Sequence, residues 1–273
     1  MNPNAHHFLL NKDPLGSLHP TIMSQAMVSS FSMDVSAYSS DLYEYPATKR
    51  PDTILPNAFV MCWENVLTPN FWLRQKLNLK SSIESLDAVK QQILRSQHLQ
   101  MAFATIEQDL IQLLNTVSNY GPLFIVSDES IHSVEALCKT LFPRLAYCLN
   151  STTTMTRVHV IGAPTRFQSA AEKADWRVNL LQSLCRDTLF AARPQNLLDS
   201  QAGKFGLVVV SPYQVDIAAS RATHKVAPFV VAKSVHVQKA RHLTLQDFTL
   251  HLRVLADYVP SAAPCDTAFA ITL

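Results

Sequence analysis

The sequence predicts an α/β domain built on a parallel sheet with helices on both faces. Three observations carry that expectation. Short apolar runs with no polar face recur at residues 58–63, 123–126 and 206–210, as strands buried on both faces do. Longer stretches between them place apolar residues three and four apart, the spacing of an amphipathic helix. The two kinds of segment alternate, which argues for parallel strands joined by helical crossovers.

Each element follows in chain order. Residues 1–55 are rich in Ser, Met, Pro, Asn and Tyr, hold no sustained period and read as a disordered arm. A first strand covers 58–63. A helical pattern then spans 81–118, through Ile83, Leu86, Val89, Ile93, Phe103, Ile106, Leu110 and Leu113, and Asn119 to Pro122 stop it. The stretch 68–120 is expected to pack as a helical segment on the core, where a cap would sit. A second strand covers 123–126. Ser127 or Asp128 can cap the next helix, 129–142, which Pro143 stops. A third strand at 157–161 alternates in polarity. A helix follows from Ala170 to about Phe190, then a fourth strand at 206–210 and a short helix at 214–221. The fifth strand covers 229–237. Thr244 and Asp247 have the spacing of a capping box, with Asp in the place of Glu. They open a last helix through Phe248, Leu252, Leu255 and Tyr258, ended by Pro260. The expectation is one domain over 56–260 with about five strands, and a loose tail over 261–273.

Composition excludes several functions. Net charge is +2 in 273 residues and no basic stripe is present, so nucleic acid and a polybasic membrane surface are not expected partners. No stretch nears 18 uninterrupted apolar residues, which excludes a membrane-spanning helix from the expectation. The N-terminus lacks a signal-peptide pattern. The five cysteines are scattered and form no CxxC pair, which argues against a disulfide framework and a cysteine zinc site. A cytoplasmic protein is expected. Only 5 glycines occur, and neither GxGxxG nor GxxxxGK is present, so a Gly-rich phosphate loop is absent. Ligands of open parallel sheets bind at the carboxyl ends of the strands. The places to look are therefore just after Trp63, Val126, Ile161 and Val210.

Four segments carry a resemblance. Residues 59–69, Phe-Val-Met-Cys-Trp-Glu-Asn-Val-Leu-Thr-Pro, precede Phe71, Trp72 and Leu73. Ile125, Val126 and Ser127 are followed by Glu129 and by Val134 to Leu137. Asp175, Trp176 and Arg177 lie on one predicted helix. Val209 to Ser211 run into Pro212, Tyr213 and Asp216. Taken in this order, the segments resemble the four motifs of the haloacid-dehalogenase-like (HAD-like) superfamily, over about residues 57–258. The first resembles the family's Asp-Trp-Asp-Asp-Thr-Leu-Leu-Pro form, with Trp63, Leu67 and Pro69 in matching places.

The resemblance implies roles, and the residues depart from them. Cys62 stands in the place of the nucleophilic Asp and Glu64 in that of the acid/base Asp. Asn65 stands in the place of the next Asp. Ser127 fits the hydroxyl that holds the phosphoryl group, and Arg177 takes the place of the Lys. Ser211, Pro212 and Tyr213 replace Gly-Asp-Ser, with Asp216 in the place of a Glu. Family chemistry needs an attacking carboxylate, a second that moves a proton, and Mg²⁺ held by hard oxygen ligands. A thiolate is a poor Mg²⁺ ligand, and Pro212 offers no ligand at all. The Cys-Arg cradle of cysteine phosphatases is absent too, because Thr68 stands where the Arg would be. Cys62 also reads as a small buried residue at a strand end, Asp216 as a helix cap, Ser127 as an N-cap, and Arg177 and Glu64 as surface charges.

Losing the nucleophile and a metal ligand together implies little or no phosphatase activity, since removing a nucleophile alone can cost on the order of 10⁶ in rate. The expected function is therefore that of a catalytically inactive HAD-like protein, a pseudo-phosphatase that binds a protein partner or a phosphorylated small molecule. No metal or cofactor is assigned. The alternative is a hydrolase with residual Mg²⁺-dependent phosphoryl transfer through Glu64.

Overall fold

The computed structural model describes residues 56–80, 83–151, 155, 157–185, 204–238 and 244–273. Among these residues the elements run β1 (Asn57–Cys62), α1 (Asn70–Leu77), α2 (Ile83–Leu94), α3 (Gln97–Ser118), β2 (Leu123–Val126), α4 (Ile131–Leu141), α5 (Pro143–Asn150), β3 (Val158–Ile161), α6 (Ala170–Ser183), β4 (Phe205–Ser211), α7 (Gln214–Val226), β5 (Val230–His236), α8 (Leu245–Ala262) and β6 (Phe269–Thr272). The strands form one sheet in the order β3-β2-β1-β4-β5-β6, and every pairing is parallel. The fold is Rossmann-type α/β, with β1 central and flanked by β2 and β4.

Burial on both faces follows from the period of two along each strand. Phe59 and Met61 of β1 join Leu123 and Ile125 of β2 and Val208 and Val210 of β4 in one apolar cluster. Ala58 and Val60 join Phe124, Val126, Leu207 and Val209 in the other. The first cluster is completed by Leu73, Leu86, Val89, Phe103, Ile106, Leu110, Phe248 and Leu252, so α1 to α4 and α8 cover that face. Leu181, Leu184 and Ala219 lie in the second, under α6 and α7. The helical segment after β1 thus shares its core with the sheet.

Four expectations change. The sheet has six strands rather than five, because the expected tail over 261–273 contains β6. That strand is four residues long and half exposed, so it leaves no continuous apolar run in the sequence, yet it pairs with β5 from Lys233↔Phe269 to His236↔Thr272. Pro260 lies inside α8, which runs on to Ala262. Pro143 does not only stop a helix; it is the first residue of α5, where its missing N–H costs nothing. The helical stretch 81–118 is two helices, and Ser96 caps the second by accepting from the Leu99 N–H. The expected arm over 1–55 and the end of the helix expected to reach Phe190 lie outside the described residues. Among those that are described, no helix is long and apolar enough to cross a membrane.

Candidate functional site

The order of the sheet reverses direction between β1 and β4, and the crevice of such a sheet opens outside the carboxyl ends of those strands. The backbone past β1 is folded back tightly. The Trp63 carbonyl accepts from the N–H of Leu67 at 3.3 Å and of Thr68 at 3.0 Å, and the Asn65 N–H donates to the Thr68 carbonyl at 2.8 Å. Asn65 adopts the left-handed region at φ 61°, which Asn tolerates better than most residues. This turn leaves Glu64 buried and facing the end of β2.

There the Ser127 hydroxyl donates to Glu64 Oε1 at 2.5 Å, and the Asp128 N–H donates to the same oxygen at 3.1 Å. The Cys62 thiol lies 3.5 Å from Glu64 Oε2. Burial, and next Asp128, push the Glu64 carboxyl above its ordinary value. Burial also pushes the Cys62 thiol well above its ordinary range, against the pull of Arg177. Cys62 is therefore kept as a thiol, and it does not reach the open cleft.

Arg177 enters from α6. It is 2% exposed, and its fork is taken up by acids on two sides. Nε donates to Asp128 Oδ1 at 2.9 Å, Nη2 to the same oxygen at 2.5 Å, and Nη1 to Asp216 Oδ2 at 2.6 Å. Nη2 also lies 3.4 Å from the Cys62 sulfur. Lys173, one helical turn before Arg177, pairs with Asp128 Oδ2, and the Tyr213 hydroxyl donates to that oxygen at 2.8 Å. The Tyr213 ring carries both cations, Lys173 Nζ at 4.1 Å and the Arg177 guanidinium carbon at 4.3 Å from its centre. Burial pushes the Asp128 carboxyl up, but Arg177 and Lys173 outweigh it and hold the carboxyl below its ordinary value.

β4 supplies the last side. The Ser211 hydroxyl accepts from the Tyr213 N–H at 3.1 Å, starting α7, and donates to Asp216 Oδ2 at 2.5 Å. Burial raises the Asp216 carboxyl above its ordinary value, against the pull of Arg177. Pro212 is buried between the two.

The structure thus brings Cys62, Glu64, Ser127, Arg177 and Asp216 to one edge of the sheet, with Pro212 beside them. The role of Asp128 is missed in the sequence, where it reads as a helix cap; Ser130 holds that cap instead. Lys173 is missed as well, although its spacing of four from Arg177 puts both cations on one face of α6. Glu64, Asp128, Lys173 and Tyr213 line an open cleft of about 860 Å³, whereas Cys62, Ser127 and Arg177 do not reach it.

The residues do not fit a Mg²⁺ ion. Both Asp128 oxygens and Asp216 Oδ2 receive cationic or hydroxyl donors, and Glu64 is turned to Ser127 and Cys62. Among the described residues no group of three His, Cys, Asp or Glu side chains is placed to hold a metal.

Fold and site together define a Rossmann-type α/β protein with a buried ion-pair network at its strand ends. No family model, curated protein or solved structure matches the chain.

Proposed function

We propose that the chain is a HAD-like protein that does not catalyse phosphoryl transfer and acts by binding, with a phosphorylated ligand favoured over a protein partner. One observation carries the reading. The arginine that stands in the place of the family's cation is closed off by Asp128 and Asp216, directly against a protonated thiol in the place of the nucleophile. Phosphoryl transfer needs an attacking group and an uncommitted positive charge facing the reacting phosphorus. Here the attacking carboxylate is missing and the buried charge is neutralised. The Ser127 hydroxyl is likewise spent on Glu64.

The basic lining of the open cleft supports binding of an anion. Phosphate release from an aryl phosphate by the full chain tests the reading. The expected rate is that of buffer alone, and turnover well above it contradicts the proposal.

A further inference from the structure

The cleft outside the network draws its walls from the loops after β1, β2, β3 and β4 and from α1 and the first turn of α6. Its volume, about 860 Å³, falls in the range of small-molecule sites, roughly 300–1,000 Å³. Four cations line it, Arg74, Lys80, Arg166 and Lys173, against three acids, Glu64, Asp128 and Glu129.

The acids are committed. Glu64 is bound to Ser127 and Cys62. Asp128 is bound to Arg177, Lys173 and Tyr213, and Glu129 Oε1 accepts from Arg74 at 2.9 Å. Two cations remain. The side chains of Lys80 and Arg166 are exposed and have no hydrogen-bond or ion-pair partner among the described residues. Aromatic surface is present in the same cleft. Phe71 is 37% exposed, and Phe167 is half-buried with its ring centre 5.3 Å from that of Trp176.

Two uncommitted cations in a concave site match a dianion better than a monoanion, because each can meet a separate charged oxygen. Aromatic walls match a flat ring. We propose that this cleft binds a small phosphate monoester carrying an aromatic ring. Lys80 and Arg166 hold the phosphate, and Phe71 and Phe167 flank the ring. The inference rests on the binding function proposed above and assigns it to residues other than Ser127 and Arg177.

The test is a calorimetric titration of the full chain with phenyl phosphate, phenol and inorganic phosphate. Phenyl phosphate is expected to bind more tightly than inorganic phosphate, and phenol not to bind. The double variant Lys80→Gln, Arg166→Gln is expected to weaken phenyl phosphate by at least about tenfold. Its thermal midpoint should match the wild type, since both side chains are exposed and have no partner among the described residues, and Lys80→Arg with Arg166→Lys should keep binding. No binding by the wild type, or equal affinity in the Gln variant, overturns the site. Phosphate release, measured in the same samples, reads the other claim separately. Release with intact binding contradicts the non-catalytic reading and leaves the site standing. Absence of all binding without release overturns the site alone.

Discussion

Arg177 Nη1 lies 2.6 Å from Asp216 Oδ2, joining α6 to the first turn of α7, while the other edge of the same guanidinium holds Asp128 beyond β2. One side chain therefore ties three segments together across the carboxyl edge of the sheet. A buried cation of this kind is held by its acids, and they by it.

Removing the cation leaves two buried carboxylates without their main partner. Arg177→Met is expected to destabilise the fold by about 3–5 kcal/mol, the cost of breaking a buried pair from one side. Urea unfolding measures it. A loss below about 1 kcal/mol would show that Arg177 is a solvated charge.

Stability should also carry the signature of Glu64. Its folded pKa is raised by burial and then by Asp128 above the ordinary 4.5. A raised acid favours the folded state below its unfolded pKa, and that contribution is lost as pH rises through the folded value. Wild-type stability is therefore expected to contain a falling component from about pH 4.5 upward, and Glu64→Gln should lack it. Asp128, with its lowered pKa, acts in the opposite sense at the acid end. Unfolding free energies of the two proteins across this range decide the matter, and parallel curves contradict the assignment.

Thiol chemistry should separate the cysteines. Cys62, Cys138 and Cys185 are buried, and burial raises all three, Cys185 to about 12. Cys265 is only half-buried, and its hydrogen bonds to Thr267 lower its pKa. Reaction follows thiolate character and access. Alkylation of the folded protein near neutral pH should mark Cys265 well before Cys62, as read by peptide mass mapping. Rapid labelling of Cys62 would contradict its placement beneath Arg177.

A local device of the fold can be tested independently of the site. Thr244 Oγ1 accepts from the Asp247 N–H at 3.1 Å, and Asp247 Oδ2 accepts from the Thr244 N–H at 3.1 Å. Thr244→Ala is expected to cost about 1 kcal/mol, the usual value of an N-cap. A change too small to measure would mean that α8 is fixed by packing alone.

This box was legible in the sequence because capping is local chemistry at a fixed spacing. The buried strands β1, β2 and β4 were legible for a related reason, since cover on both faces favours continuous apolar runs. β6 was not, because an edge strand with alternate residues exposed needs only Phe269 and Ile271 to face the core side. α5 was hidden by Pro143, which reads as a stop and can equally begin a helix. The HAD-like resemblance groups Cys62, Glu64, Ser127 and Arg177 in advance; spacing alone does not place Arg177, in the middle of α6, beside the strand ends. Asp128 and Lys173 could not be grouped in this way. The commitment of Arg177 to Asp128 and Asp216 depends on how α6 lies across the sheet, over 39 residues of chain from Asp216 and 49 from Asp128, and local pattern carries no such information.

We propose that the strand-end cluster is a closed ion-pair network and not a working phosphoryl-transfer site. The most direct measurement is phosphate release from a generic aryl phosphate, with and without Mg²⁺, by the wild type and by Glu64→Ala. No release above buffer is expected from either protein, and no response to the ion. Mg²⁺-dependent release by the wild type that disappears in Glu64→Ala would contradict the proposal and make Glu64 a catalytic residue.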